Sequence, residues 1–172
     1  MGKSDLLAND NDPQSTGLAV KPVLLRKGDT RLGLYGIGNV KDARLHYELR
    51  SNRVRMFMPH DKDDWFNILL VHQNRLADIF IFLSVCMLLT LQLLRVKHGP
   101  QQSVPEGMFD DSINLVVWGH EHDCRIEPEP VAGKGYVITQ PGSSVATSLA
   151  EGESLQKWVV FCICFLTLTD HT

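Results

Sequence analysis

Short blocks of apolar residues alternate with polar ones along the first third of the chain. Residues 22–36 predict two short strands joined by a polar turn. Residues 40–50 place Leu45 and Leu49 four positions apart, which predicts a short helix with one apolar face. Residues 53–58 predict a further strand. This part of the chain therefore mixes both kinds of secondary structure.

Continuous apolar runs bounded by turn residues follow. The runs at 65–72 and 113–119 and the segment 133–144 predict three further strands, the first two of them buried. Residues 104–111 predict a helix with Pro105 near its first turn. Because strands alternate with short helices and long loops, the pattern favours an α/β or α+β sandwich.

Two apolar segments do not fit this pattern. Residues 79–94 are almost entirely apolar, which is short for a membrane span of about 20 residues. A core helix with this composition would have no polar face. Residues 158–172 are likewise β-branched and aromatic, with no partner segment in the pattern. One interpretation of 79–94 is therefore a membrane anchor.

Composition adds only broad limits. The 172 residues are 44% hydrophobic, which is enough for one modest domain with its own core. The net charge of −3 gives no strong overall positive field that would attract nucleic acid. The net charge does not exclude a local basic patch. The four cysteines have irregular spacing, which favours a reducing compartment over a disulfide framework. They are Cys86, Cys124, Cys162 and Cys164.

Three histidines follow buried strands. His120 and His122 come directly after the apolar run that ends at Gly119, and His72 ends the apolar run "NILLV". Open α/β sheets bind ligands at the carboxyl ends of their strands. Imidazole is a suitable ligand for manganese, iron, zinc and nickel. The sequence therefore predicts a metal site formed by His72, His120 and His122.

The neighbouring residues leave alternatives open. A histidine at the end of a strand is usually only a surface residue. Cys124 is either a further zinc ligand or a small apolar residue near the core, and Glu121 and Asp123 are candidates for orienting the imidazoles. The other histidines are expected to be solvated: His46, His60, His98 and His171.

Four quoted stretches carry a family resemblance: "WFNILLVHQNR", "VKHG", "VPEGMFDDSINLVVWGHEHDCRIEP" and "VITQPGSSVATSLAEGES". Together they closely resemble the eukaryotic Mre-eleven family, the double-strand-break repair nucleases of the MRN/MRX complex. "PVLLRKGDTRLGLYGIGNVKDARL" resembles the hairpin and helix upstream of the histidine motif in that family. The resemblance covers about residues 1–75 and 96–157. "GHEH" alone would indicate only the wider calcineurin-like metallophosphoesterases.

The resemblance implies an α/β fold, the C-terminal part of a four-layer αββα metallophosphoesterase sandwich that lacks its N-terminal portion. It implies a two-manganese phosphodiesterase site in which His72 and His120 bind one metal and His122 binds the other. It also implies DNA as substrate, the nucleus as location, and a role in repair and meiotic recombination. The implied partners are the ATPase and adaptor subunits and a second copy of the chain, although the family's dimer helices are not found here.

Several family motifs are not found in residues 1–71. These are the DxH motif, the metal-bridging aspartate and the GNHD motif; "GIGNVKD" at 36–42 lacks the histidine. The expected protein is therefore a nuclease fragment with no activity of its own. The alternatives are a truncated regulatory or interaction isoform, or a small membrane-associated protein anchored by 79–94.

The family resemblance suggests one explanation for both apolar segments, 76–95 and 158–172. In the family "HQNR" runs on within about a residue to "KHG", whereas residues 76–95 intervene here, and Arg75 and Arg95 flank the break. We expect 76–95 to be a retained intron that keeps the reading frame, and 158–172 to be intron read-through after the family match ends at 157. A genuine lineage-specific insertion is the alternative.

Genomic sequence across codons 75 and 95 tests the intron interpretation. Removal of an intron should leave a single arginine codon before Val96. We expect a GT dinucleotide across the boundary of codons 75 and 76, an AG at the start of codon 95, and a shorter transcript. A transcript survey that finds only the long form in every growth condition would contradict this interpretation.

Overall fold

A computed structural model describes residues 17–38, 40–76, 103–147 and 151–157. Its main feature is one sheet of six strands. These are β2 (Val23–Lys27), β3 (Thr30–Ile37), β5 (Phe66–His72), β8 (Leu115–Gly119), β9 (Arg125–Pro130) and β10 (Val137–Gln140). Short elements surround the sheet: β1 (Ala19–Val20), α1 (Asp42–Arg50), β4 (Arg55–Met56), β6 (Arg75–Leu76), β7 (Val104–Pro105) and α2 (Glu151–Ser154), with single 3-10 turns at Lys62–Asp64 and Glu106–Met108.

The strand order in the large sheet is β2-β3-β5-β8-β10-β9. The four central strands run parallel to one another, and the two outer strands pair antiparallel to them. The carboxyl ends of β3, β5, β8 and β10 consequently meet at one edge. Two small parallel pairs, β1 with β4 and β6 with β7, lie outside this sheet.

The hairpin predicted at 22–36 is confirmed. β2 and β3 pair antiparallel from Val23↔Leu34 to Lys27↔Thr30. Gly28 in the turn has φ +58°, a left-handed conformation that glycine adopts without steric cost. The helix predicted at 40–50 is present as α1, and the strands predicted within 65–72, 113–119 and 133–144 are present as β5, β8 and β10.

One face of the sheet carries the core. Leu69 and Val71 of β5 are buried, whereas Leu70, which lies between them, is 46% exposed. Side chains alternate between the two faces of a strand, so this difference separates a covered face from an open one. Trp118 of β8 and Leu45 of α1 belong to the covered side and are completely buried.

Trp118 and Tyr136, two polar side chains buried on the covered face, have hydrogen-bond partners. The Trp118 indole N–H donates to the Gln73 carbonyl over 2.8 Å. The Tyr136 hydroxyl donates to the Glu106 carbonyl over 2.6 Å and accepts the Phe109 backbone N–H over 3.3 Å. Burial raises the pKa of Tyr136 to about 12, so this hydroxyl stays protonated and continues to donate.

Three sequence predictions differ from the structure. The helix predicted at 104–111 is wrong: the segment forms β7 followed by one 3-10 turn, because Val104 pairs with Arg75 in a parallel ladder instead. The edge strand β9 was not predicted, since two prolines in "RIEPEP" argue against a strand except at an edge. His46 is not solvated as expected; it is 7% exposed because α1 turns it inward.

The α/β fold class is confirmed. The described residues form one large sheet with helix α1 against its covered face, as expected for part of a layered metallophosphoesterase fold. Among the described residues no helix is long and apolar enough to cross a membrane. The apolar block at 79–94 and the tail at 158–172 lie outside the described residues, so the expectations for both remain expectations.

A matched pair of leucines tests which face of β5 is the core. Leu69→Ala should lower the free energy of unfolding by about 2–5 kcal/mol, because it opens a cavity at a fully buried position. Leu70→Ala, one residue away on the open face, should cost only ~1 kcal/mol, since nearly half of that side chain is already in water. Urea unfolding followed by tryptophan fluorescence measures both. Equal losses in the two variants would contradict the assignment of faces.

Candidate metal centre

His72 and His120 lie side by side at the carboxyl edge of the sheet. His72 is the last residue of β5 and pairs in register with Gly119, the last residue of β8. His120 follows Gly119 directly, so the two imidazoles come from adjacent parallel strands. Their ring centroids are 5.2 Å apart and the rings are inclined by 70°. Both side chains are exposed, as a ligand site requires.

Gly119 makes room for the His72 ring. A Cβ at position 119 would lie 2.8 Å from His72 Nδ1, closer than real Cβ contacts come. The imidazole therefore lies over the glycine backbone, in space that any other residue would fill. The glycine that the sequence places before "HEH" has a packing role here, in addition to ending the strand.

The loop after β8 begins with an unusual backbone conformation. His120 has φ +75°, in the left-handed region that residues with a Cβ rarely adopt. Strain of this kind costs on the order of 1–3 kcal/mol and persists only where surrounding contacts hold the residue in place. Arg75 and Gln140 contribute contacts that hold this loop, and the Ser143 backbone N–H donates to the His122 carbonyl over 3.1 Å.

Arg75 is the centre of a buried polar network. Its guanidinium is 5% exposed; it pairs with Glu106 and, over 2.8 Å, with Glu129, and it donates to Gln140 Oε1 over 2.8 Å. Its backbone N–H donates to Glu121 Oε1 over 2.8 Å. A buried arginine with several charged partners is well satisfied, whereas removal of one partner leaves a costly unpaired charge.

Gln140 and Glu121 connect this network to the histidine loop by hydrogen bonds. Gln140 Nε2–H donates to the Asp123 carbonyl over 2.9 Å, so the loop is held at its far end. Glu121, between the two histidines, holds the near end through the Arg75 N–H. The short peptide 120–123 is thus fixed from both sides.

The rest of the "HQNR" motif is structural as well. The Asn74 backbone and side chain both donate to the Asp42 carboxylate of α1, each over 2.9 Å. The Gln73 carbonyl accepts the Trp118 indole N–H. The three residues after His72 therefore anchor the end of β5 to α1, β8 and the histidine loop, which keeps the His72 backbone in place.

His122 is held by residues that the sequence analysis did not select. Its Nδ1 lies 3.1 Å from Glu153 Oε1 and 3.0 Å from Thr147 Oγ1. Glu153 stands in α2, and its side chain is 5% exposed while that of His122 is 55% exposed. The carboxylate that contacts the His122 imidazole is thus that of Glu153, rather than that of Glu121 or Asp123, the two candidates from the sequence. The only sequence signal was the match of "AEGES" to the family, which assigns no role to the glutamate.

Asp42, Asp61 and Asp64 have partners away from the histidine pair. Asp61 and Asp64 pair with Arg31 before the amino end of β5, at the opposite end of that strand from His72. A hydrogen bond from the Trp65 indole lowers the pKa of Asp61, so that carboxylate stays charged. Asp42 is occupied by Asn74. None of these three carboxylates joins His72 and His120 as a further metal ligand.

A three-ligand cluster is not formed by the part of the chain that the structure describes. Within residues 17–38, 40–76, 103–147 and 151–157, no group of three His, Cys, Asp or Glu side chains is placed to hold one metal. Cys124 is a free thiol of intermediate exposure and belongs to no such group. The structure thus brings His72 and His120 together and holds His122 through Glu153 and Thr147, and the assignment of all three to metals remains a prediction.

Known proteins match this chain closely over most of its length, although no family model matches it. A double-strand break repair protein MRE11 from Coprinopsis cinerea is 67% identical over 159 residues, which are 92% of this chain and 19% of that protein. The Neurospora crassa double-strand break repair protein mus-23 is 42% identical, over 86% of this chain and 17% of its own length. The human MRE11 is 40% identical, over 81% of this chain and 17% of its own length.

These relatives come from fungi and animals, and a plant MRE11 from Arabidopsis thaliana is also 40% identical. The chain spans less than a fifth of the length of the curated relatives it matches. Identity at this level over most of the chain, with "HQNR" and "GHEH" meeting at one sheet edge, confirms the family that the motifs suggest. The chain belongs to the MRE11 family of double-strand break repair proteins.

Proposed function

We propose that this chain supplies the histidine side of a two-manganese phosphodiesterase site that cleaves DNA during double-strand break repair. The observation that carries the proposal is the pair of exposed imidazoles, His72 and His120, whose centroids are 5.2 Å apart at the carboxyl edge of parallel strands. We place the protein in the nucleus, with the ATPase and adaptor subunits of the repair complex as partners. Taken alone, the chain lacks nuclease activity in this proposal.

The residues present are suitable as the histidine ligands of such a site. Neutral imidazole is a good ligand for manganese and its neighbours in the first transition row. Gly119 leaves the space in which the His72 ring lies, and the two rings are close enough for one ion to reach both. His72 and His120 would hold one ion, and His122 would hold the other.

The residues do not supply charge for two divalent cations. Three neutral imidazoles carry no negative charge, and the described aspartates Asp42, Asp61 and Asp64 are engaged elsewhere. Manganese prefers sites that include carboxylate oxygen. The family's bridging aspartate, DxH and GNHD motifs would have to provide that oxygen. Weak metal binding and no catalysis are therefore expected of the isolated chain.

The chain's own residues would act by holding and orienting. When bound, the two manganese ions would supply activation of a water and stabilisation of negative charge at the phosphodiester. The loop 120–123, fixed by Glu121 and Gln140, would keep two ligands in place while that charge develops. Preorganised ligands avoid reorganisation during the reaction, which is where such a site gains its rate.

A chimera tests the activity that we propose. The isolated chain should not cleave DNA in manganese. In the chimera, the matching segment of the Coprinopsis cinerea relative is replaced by this chain without residues 76–95. This chimera should cleave DNA in a manganese-dependent way. In that chimera His72→Ala, His120→Ala and His122→Ala should each lower the rate by at least a factor of about 100, because each removes a metal ligand. A gel assay with labelled duplex DNA measures the rates.

His60→Ala is the matched control in the chimera. His60 is exposed and lies before the amino end of β5, at the opposite end of that strand from His72. Its removal should change the rate less than about twofold. Two results would contradict the proposal: cleavage by the isolated chain that is lost in His122→Ala, or a chimera in which His60→Ala and His122→Ala lose the same activity.

A further inference from the structure

Glu153 is a buried carboxylate placed directly behind a proposed metal ligand. Its side chain is 5% exposed, and its Oε1 lies 3.1 Å from Nδ1 of His122, a residue that is itself largely in solvent. It stands in α2, whose Gly152 carbonyl also accepts the Cys124 backbone N–H over 3.2 Å, so the helix lies against the histidine loop. A buried charge in this position requires partners, and those partners determine what it does to the imidazole.

The second oxygen of Glu153 is clamped by Thr147. The Thr147 backbone N–H donates to Glu153 Oε2 over 2.6 Å, and the Thr147 hydroxyl donates to the same oxygen over 2.8 Å. The carboxylate therefore cannot rotate without losing two hydrogen bonds. This clamp leaves Oε1 facing the His122 ring.

The donors and acceptors around His122 determine which of its ring nitrogens carries the proton. A threonine hydroxyl has one proton, and the proton of Thr147 is directed to Glu153. Its oxygen, 3.0 Å from His122 Nδ1, is then an acceptor, and Glu153 Oε1 is an acceptor as well. Two acceptors face Nδ1, so Nδ1 must be the nitrogen that carries the proton. In the neutral ring Nε2 then holds the lone pair.

We propose that Glu153 is a positioning residue that fixes His122 in the Nδ1–H tautomer and so presents Nε2 to a metal ion. Ligating histidines in proteins commonly donate their other N–H to a carboxylate, which fixes the tautomer and makes the ring a better ligand. The inference rests on the proposed function for its purpose, but the tautomer itself follows from contacts within this chain. Glu121 does not have this role; it accepts the Arg75 backbone N–H.

Glu153→Gln is the decisive change because an amide has one acceptor and one donor end. The Thr147 backbone N–H can only donate, so the amide oxygen must face Thr147, and the amide NH2 must face His122. Nδ1 would then have to accept, and the proton would move to Nε2. The lone pair needed for a metal would no longer be at Nε2.

Long-range proton–nitrogen NMR of the ¹⁵N-labelled full chain, metal-free and at roughly pH 9 where imidazole is neutral, measures the tautomer. In the wild type we expect a protonated Nδ1 and an unprotonated Nε2 on His122, and in E153Q the reverse. Titration with Mn²⁺ should show affinity reduced by about 10–100-fold in E153Q, the range for such outer partners. Glu151→Gln, an exposed carboxylate of the same helix, should leave both readouts unchanged.

A wild-type spectrum with the proton on Nε2 would overturn the proposal, and this result does not depend on whether E153Q folds. An unchanged tautomer in folded E153Q would also overturn it. If the wild type shows the expected tautomer but binds no Mn²⁺, the positioning role of Glu153 stands and the proposed metal function fails. The two claims are thus tested separately.

Discussion

The parallel register between β5 and β8 is the constraint on which the rest of the structure depends. It sets His72 opposite Gly119, so an imidazole lies where a side chain would otherwise be, and it brings His120 next to His72. A shift of one residue would move His72 to the covered face, because side chains alternate along a strand. The buried residues Leu69 and Trp118 on the covered face oppose such a shift, so the core and the candidate site are fixed by the same pairing.

The polar network around Arg75 makes this arrangement rigid at the sheet edge. It joins β6, the turn after β7, the edge strand β9 and the end of β10, and it fixes the histidine loop through Glu121 and Gln140. Strain at His120 is tolerated because these contacts over-determine the loop.

Much of the fold was predictable because the central strands are strongly apolar and bounded by turns. β5, β8 and the β2–β3 hairpin follow from pattern alone, and so does the position of His72 and His120 at the carboxyl ends of adjacent strands. The segment 104–111 was not predictable locally, since pairing of Val104 with Arg75 is a long-range contact. The role of Glu153 was equally hidden: it lies far from His122 in sequence, and only the fold shows that Thr147 clamps it.

Paramagnetic broadening by Mn²⁺ tests most directly whether the carboxyl edge of the sheet is a metal site. Mn²⁺ broadens protons near it even when binding is weak, so the isolated chain suffices. At substoichiometric Mn²⁺ the imidazole signals of His72, His120 and His122 should broaden first, while those of His46 and His60 stay sharp. Broadening centred on the acidic loop at 61–64, with the three histidines unaffected, would contradict the account.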